Sequence, residues 1–224
     1  MPILTNEQGW VLETRTTGYA LGLNEAGLLT HRYWGLRLAQ IDDYPPPPSP
    51  SGWASFNNAA QRTPEEYPGY EDMKFVEACI KVTFADGVRG TVLRYDSYEL
   101  DERDAPELRI HLRDTAYPLR LTLHYRVHAA YDLIERWVTA TNNGATPMTI
   151  ERIDSAQWHL PVGESYRLTH ATGRWLDEMH LRREILQPGR KVLESRRLTT
   201  SHHHNPWFAV DRGSADEDAG AVWF

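Results

Sequence analysis

Three consecutive histidines, His202–His204, raise the question of metal binding or proton transfer, because imidazole nitrogens do both near neutral pH. In an extended strand His202 and His204 would share one face, and with a third ligand from elsewhere they could bind zinc. The nearby carboxylates lie in a stretch with glycine, serine and alanine that is typical of a solvated turn: Asp211, Asp216, Glu217 and Asp218. Without a clear second set of ligands, no metal site is predicted.

A structural role for the histidine run is the alternative that the sequence favours. Asn205-Pro206 follows directly, and a residue before proline is pushed towards extended backbone, so this dipeptide marks a turn or the start of a strand. A histidine that makes a buried hydrogen bond at the corner of a sheet fits this position.

Other catalytic chemistries have no recognisable pattern in the chain. There is no G-x-S-x-G nucleophile elbow, no P-loop and no dinucleotide fingerprint, so no cofactor is predicted. The single cysteine, Cys79, lies in a strand pattern and is expected to be buried and inert.

Paired carboxylates could hydrolyse a glycoside only if they converge to about 5–9.5 Å. Most Asp and Glu residues here fall in turns or on strand faces that are expected to be exposed, so the sequence selects no pair. One acidic group in particular is predicted to be a solvated loop: Glu65, Glu66, Glu71 and Asp72.

The bulk composition narrows the class of protein. The formal net charge of -7 over 224 residues argues against nucleic-acid binding, which needs a basic face. One cysteine permits no internal disulfide, and we find neither a signal peptide nor an apolar run of the roughly 18 residues that span a bilayer. A cytoplasmic protein without membrane or nucleic-acid partners is expected.

Any site in this chain must be positioned by β-strands, which the sequence predicts from apolar residues at every second position. Leu108, Ile110 and Leu112 share one face, and after a turn over 114–118 the alternation resumes from Leu119 to Val127. This pattern predicts a hairpin with one buried face. Further strand–turn–strand patterns are centred on these turn signals: residues 24–27, Asp86-Gly87, 142–144 and Pro188-Gly189.

We find no long amphipathic helix. Short strands with frequent turn signals predict an all-β fold, a large two-sheet antiparallel β-sandwich that forms one domain over residues 1–224.

A segment rich in Pro, Asn and Ser, residues 42–73, interrupts the strand pattern, and Pro45–Pro48 favour an extended polyproline conformation. It is either a surface loop or linker, or an ordered loop that docks on another surface such as a neighbouring subunit. The second reading is favoured because disordered linkers are poor in aromatics and long ordered loops are usually functional. Its aromatic residues are candidates for a substrate entrance or an interface: Trp53, Phe56, Tyr67 and Tyr70.

A series of short segments resembles the N-terminal β-domain of the α-galactosidases of glycoside hydrolase family 36. No single motif decides the resemblance, but order and spacing hold over nearly the whole chain. The segments are HRYWG (31–35), EEYPGYEDMKF (65–75), LRY (93–95), DLIERW with TNNG (132–144), Gly173–Trp175, LQPG (186–189), ESRR (194–197) and SHHHNPWFAV (201–210).

The resemblance implies a galactose-mutarotase-like supersandwich in which His202, Asn205 and Pro206 form a structural motif at a sheet corner. His203 stands where the family usually has glutamine. The family's enzymes are retaining, use no metal, release terminal α-linked galactose and form oligomers.

Their two catalytic aspartates lie on a separate (β/α)8 barrel, which needs about 250 residues of its own. The family's Lys-Trp-Asp motif is absent here. The chain alone is therefore expected to be inactive. We expect it to be the N-terminal part of a larger enzyme, a truncated gene product or a shortened fragment.

Two departures from the family pattern bear on specificity and subunit packing. DERDAP, residues 101–106, replaces a longer segment, and Trp175 is followed by LDEM instead of an Arg-Glu-Arg run. Two other functions stay open: a free-standing carbohydrate-binding or structural sandwich, and a mutarotase- or epimerase-like sugar enzyme that uses a histidine and a carboxylate. The sequence does not distinguish galactose from N-acetylgalactosamine.

Overall fold

A computed structural model describes residues 2–49, 62–71, 74, 76–103, 105–163, 165–196, 198, 201–216 and 220–223. The chain divides into two compact units, Met1–Pro161 and Val162–Phe224. The one-domain assignment stays a prediction. The strands are β1 (Ile3–Asn6), β2 (Gly9–Glu13), β3 (Thr17–Leu23), β4 (Leu29–Leu36), β5 (Ile80–Thr83), β6 (Leu93–Asp101), β7 (Glu107–Asp114), β8 (Leu119–His128), β9 (Leu133–Asn142), β10 (Thr149–Ile153), β11 (Arg167–Arg174), β12 (Asp177–Ile185), β13 (Phe208–Asp211) and β14 (Val222–Trp223).

The first unit has two four-stranded antiparallel sheets that share one core. Their strand orders are β1-β2-β3-β4 and β6-β7-β8-β9. Leu12 and Leu21 of the first sheet and Ile110 and Leu123 of the second belong to one cluster of buried residues. The predicted all-β sandwich with antiparallel sheets is confirmed.

The hairpin of β7 and β8 is confirmed in detail. Leu108 pairs with Tyr125 and Leu112 with Leu121, and every second residue of β8 is buried from Leu119 to Val127. The opposite face of β7 was expected to be exposed. Two residues on that face, Glu107 and His111, are buried instead.

Two other predicted hairpins are wrong. The Asp86-Gly87 turn forms, with the Gly87 amide donating to the Phe84 carbonyl at 2.9 Å, but β5 pairs with β10 and β6 pairs with β7. The turn over 142–144 likewise separates β9, which pairs with β8, from β10. A turn signal specifies a local chain reversal, whereas burial of whole strand faces decides which strands pair.

The second unit is built on the sheet β12-β11-β13-β14. Its inner strand β11 is buried at residues 168–171, while the edge strand β12 is exposed along nearly its whole length. A bend at Pro188-Gly189 follows β12, but the described residues between 190 and 196 form no strand, so no hairpin forms there. Within the described part of the chain, no helix is both long and apolar enough to cross a membrane.

Candidate functional site

The Glu66 carboxylate lies at the centre of the first unit with no exposed surface. The predicted solvated loop is therefore wrong for Glu66 and for Glu65, which is 6% exposed. The backbone holds this segment in place, since the Glu66 amide donates to the Leu29 carbonyl at 2.9 Å and the His31 amide to the Pro64 carbonyl at 2.9 Å. These bonds along β4 place the Glu66 side chain between the two sheets.

Arg136 of β9 neutralises the charge of Glu66. Its Nη2 lies 2.7 Å from Glu66 Oε1, and its side chain is 3% exposed. Nη1 donates to the Gln157 carbonyl at 2.7 Å. The guanidinium carbon also lies 4.3 Å from the centre of the Trp158 ring and 4.7 Å from that of Tyr125, as in cation–π contacts.

Two tyrosine hydroxyls complete the set of donors around Glu66. The Tyr19 hydroxyl lies 2.7 Å from Oε1 and 2.8 Å from Oε2, and the Tyr125 hydroxyl donates to Oε1 at 3.0 Å. Tyr19 belongs to β3 and Tyr125 to β8, so the carboxylate joins the two sheets. We call Glu66, Arg136, Tyr19 and Tyr125 the Glu66–Arg136 cluster.

Burial fixes the protonation of the cluster. Burial, reinforced by the charge of Glu66, raises the pKa of Tyr19 and of Tyr125 well above the ordinary value for tyrosine. Burial alone would lower the pKa of the Arg136 guanidinium, but the negative charge of Glu66 outweighs it and raises that pKa. The tyrosines therefore remain protonated donors and Arg136 remains charged at any physiological pH.

Aromatic side chains adjoin the cluster. His31 of β4 stacks on His159 with ring centres 5.3 Å apart, and Trp34 packs on Trp158 at 4.8 Å. Burial, together with the neighbouring His159 and Arg136, lowers the pKa of His31 to about 3. His31 is therefore neutral at physiological pH. Its buried Nδ1 lies 4.0 Å from Glu66 Oε2 and makes no hydrogen bond to the described residues.

This arrangement is suited to holding chain segments together rather than to proton transfer. An acid–base catalyst works best with a pKa near the operating pH. The shifts of Tyr19, Tyr125, Arg136 and His31 all move away from neutrality. We therefore assign the cluster a positioning role in the sandwich.

Two other carboxylates of the predicted loop group, Glu65 and Glu71, pair with a lysine. Lys74 Nζ lies 2.6 Å from a carboxylate oxygen of Glu65 and 2.6 Å from one of Glu71, and all three side chains are at most 11% exposed. Burial raises the pKa of Glu65, against the opposing charge of Lys74. Asp72, the fourth member of the predicted loop group, lies outside the described residues.

The aromatic candidates of residues 42–73 fall in different environments. Trp53 and Phe56 lie outside the described residues. Tyr67 is a core residue whose hydroxyl donates to the Asp154 carbonyl at 2.7 Å. Tyr70 is 46% exposed and borders a surface cavity of about 120 Å³ that Glu71 and Lys81 also line. Of the two described candidates, only Tyr70 presents its ring to solvent.

The histidine run forms a turn in the second unit. A bridge joins Ser201 to His204 across His202 and His203, which are exposed. The Asn205 amide donates to the Ala171 carbonyl of β11 at 3.2 Å, and Pro206 precedes β13. Within the described residues, no three His, Cys, Asp or Glu side chains are grouped so that they could hold a metal ion.

Comparison with known proteins identifies the family to which this architecture belongs. The model of the glycosyl hydrolase family 36 N-terminal domain matches residues 27–224. The chain belongs to this family. A probable α-galactosidase G from Aspergillus terreus is 29% identical over 96% of the chain, and α-galactosidase AgaA from Geobacillus stearothermophilus is 27% identical over 95%. The chain spans about a third of their lengths, 31% and 32%.

Solved structures agree with the family 36 assignment. The α-galactosidase AgaB from Geobacillus stearothermophilus matches with a TM-score of 0.84 and 25% identity over 99% of the chain and 34% of its own length. An α-galactosidase from Lactobacillus brevis matches with a TM-score of 0.82 and 28% identity over 95% and 32%. The resemblance predicted from the short segments is confirmed.

Three of those segments contribute residues to the Glu66–Arg136 cluster or to its immediate surroundings. His31 comes from HRYWG, Glu66 from EEYPGY and Arg136 from DLIERW. Sequence reasoning did not single out Arg136, although a signal was present. Ile134, Val138 and Ala140 share its face of β9, so a charged residue interrupts an otherwise apolar face.

Proposed function

We propose that this chain is the N-terminal, non-catalytic domain of an α-galactosidase-like retaining glycoside hydrolase. The observation that carries the proposal is the family 36 N-terminal match over residues 27–224, with relatives about three times as long that are named α-galactosidases. The catalytic aspartates would lie in the part of the enzyme that this chain does not cover, and the sandwich would support that part and the oligomer.

The environment of the buried carboxylates supports a non-catalytic role. Asp114 accepts three backbone N–H bonds, from Val92 at 2.7 Å, Ala116 at 2.9 Å and Tyr117 at 2.8 Å. The others pair with cations of their own unit, so they serve internal packing. These pairs are Glu13–Arg37, Glu65–Lys74, Glu66–Arg136, Glu107–Arg109 and Asp211–Arg167, at 2.6–3.0 Å.

The substrate class follows from the relatives. Variants of AgaA from Geobacillus stearothermophilus were solved with raffinose and with stachyose, at 25% identity to this chain. By this likeness the parent enzyme acts on α-galactoside sugars. A cytoplasmic, homo-oligomeric enzyme is part of the proposal, and the one buried free cysteine suits a reducing compartment.

Two measurements test the proposal. The reading frame after the codon of Phe224 is expected to encode a (β/α)8 barrel, and the protein it encodes should hydrolyse a chromogenic α-galactoside. The 224-residue chain alone should not hydrolyse this substrate. Turnover by the purified chain, or a natural stop codon after Phe224, would overturn the proposal.

A further inference from the structure

Three chain segments of the first unit meet around a surface cavity of about 220 Å³. Its lining residues, 84–86, 117–118 and 146–148, define what we call the turn cavity. The first segment follows β5, the second precedes β8 and the third precedes β10. Pockets for drug-sized ligands measure about 300–1,000 Å³, so the turn cavity suits a smaller molecule.

An aromatic ring with one covered face forms part of the wall. Tyr117 stacks on Phe84 with ring centres 3.7 Å apart and ring planes 7° apart. Phe84 is a core residue with 4% exposure, whereas Tyr117 is partly exposed. Phe84 therefore supports the Tyr117 ring from the core side, and the other face of that ring is left for a ligand. A supported aromatic ring is a flat apolar surface with a polar tip, onto which the C–H groups of a sugar ring can pack.

Asp86 places a fixed acceptor beside the Tyr117 ring. The Tyr117 hydroxyl donates to Asp86 Oδ2 at 2.7 Å, and the Val88 amide donates to Oδ1 at 3.0 Å. These two bonds lower the pKa of the Asp86 carboxyl, so the group is charged at neutral pH. A carboxylate oxygen has about two acceptor sites, so each oxygen of Asp86 can accept one further bond. Two adjacent hydroxyl groups of a sugar match such a pair of acceptors.

Contacts between the turns hold the cavity in shape. The Asn143 amide donates to the Pro118 carbonyl at 2.8 Å, and the Asn142 side-chain amide donates to the Thr146 carbonyl at 2.8 Å. At Gly144 a Cβ atom would lie 2.6 Å from the Pro118 ring, so the two turns approach closely there. A wall that is formed in advance lowers the entropy lost on binding.

We propose that the turn cavity binds one unit of a neutral saccharide, with the Tyr117 ring against the C–H face of the sugar and Asp86 accepting bonds from its hydroxyl groups. Thr146, exposed at the opposite wall segment, can donate to or accept from a further hydroxyl. The site is non-catalytic. Among the described residues that line it, Asp86 supplies the one carboxylate, whereas glycoside hydrolysis uses two. This sugar site goes beyond the supporting role proposed above and does not depend on it.

An organic cation is the other ligand that an aromatic ring beside a carboxylate can hold. A cation needs acceptors only, whereas a saccharide needs both donors and acceptors. The wall offers both, since the Thr146 hydroxyl can donate and Asp86 accepts. Both Asp86 oxygens also accept a bond from the protein already, which reduces the charge that a cation would meet. The wall therefore favours a saccharide.

Ligand-observed NMR on the 224-residue chain tests the sugar site. Methyl α-galactopyranoside and methyl α-glucopyranoside are titrated separately and followed by saturation transfer. At least one of them should bind with a Kd in the millimolar range, as expected for a small ligand in an open cavity. Binding does not require turnover, so the result is independent of whether a longer protein hydrolyses α-galactosides.

Variants at exposed positions locate the binding. Thr146→Val keeps the shape of the side chain and should raise the Kd about fivefold, as the loss of one neutral hydrogen bond would. Asp86→Ala removes a charged acceptor and should raise the Kd at least about tenfold. Tyr117→Ala should abolish binding, and Tyr117→Phe, which keeps the ring, should restore part of it. Tyr131→Ala, at a position 83% exposed, is the matched control and should leave the Kd unchanged.

Thermal unfolding of each variant separates lost binding from lost structure. If Tyr117→Ala unfolds, Asp86→Ala and Thr146→Val decide, because both positions are exposed. No binding of either sugar by the folded chain would overturn the proposal. So would binding that Asp86→Ala and Thr146→Val leave unchanged, or that Tyr131→Ala abolishes. Choline is the competing probe, and displacement of the sugar by choline at lower concentration than by the sugar itself would identify a cation site instead.

Discussion

Replacing Glu66 by glutamine should destabilise the first unit strongly, although the two side chains have nearly the same shape. The change creates no cavity, and the glutamine oxygen can still accept hydrogen bonds from Tyr19 and Tyr125. It removes the one anion that lies 2.7 Å from the Arg136 guanidinium, whose side chain is 3% exposed. Arg136 then keeps its bond to the Gln157 carbonyl but has no counter-charge among the residues that the structure describes.

Removing one partner of a buried ion pair costs about 3–5 kcal/mol. Whole domains are stable by about 5–15 kcal/mol, so Glu66→Gln should remove a large part of the free energy of unfolding. Guanidinium-induced unfolding, followed by tryptophan fluorescence, measures this loss. Glu151→Gln is the matched control because the Glu151 carboxylate pairs with Arg89 at the surface, and its loss should leave the unfolding midpoint nearly unchanged.

The double variant Glu66→Gln, Arg136→Met separates charge from packing. It removes both charges and keeps most of the side-chain volume, so it should recover part of the stability that Glu66→Gln loses. A loss from Glu66→Gln no larger than that of Glu151→Gln would refute the assignment of a buried counter-charge. A double variant less stable than Glu66→Gln would show that hydrogen bonding by Arg136 outweighs its charge.

Three further predictions concern other groups of the first unit. The pKa of His31 falls from 6.5 to about 3 on folding, so the stability from its neutral form is present above pH 6.5 and is lost as the pH falls towards 3. At about pH 4.5 the loss should be about 2–3 kcal/mol, and unfolding curves of His31→Phe should lack that part of the pH dependence. Burial, with the charge of Asp154, raises the pKa of Cys79 to about 12, so Ellman's reagent should modify it only after unfolding; rapid reaction of the folded chain would contradict this. Gly22→Ala should cost about 1–3 kcal/mol of unfolding free energy, because its Cβ would lie 2.0 Å from the Gln8 carbonyl, while Gly90→Ala, with its nearest atom at 3.9 Å, serves as the control.

Strands were predictable from sequence where one face is buried and the other solvated. The alternation of β8 between Leu119 and Val127 shows this directly, and the turn between β7 and β8 is short enough to define the pairing. For β5 and β10 no short turn between the two strands indicated that they pair. They pair across the 65 residues between Thr83 and Thr149, and only the completed core selects that partner.

The candidate site was harder to predict than the strands. Glu66 lies in a segment rich in charge and proline, and its burial results from contacts with strands far away in the chain. Arg136 was accessible to reasoning, because it interrupts an apolar strand face. At Trp175 and Leu176 the sequence misleads in the opposite direction. Both side chains are apolar, which suggests burial, but they form the exposed turn between β11 and β12.

The anchoring of Glu66 also bears on how such a sandwich can diverge. Backbone bonds along β4 and the Tyr67 hydroxyl hold residues 63–67 in place. Insertions or deletions between residues 49 and 62 should therefore leave the position of the carboxylate unchanged. A sandwich built this way can change the length of its chain ahead of residue 63 while its two layers stay in register.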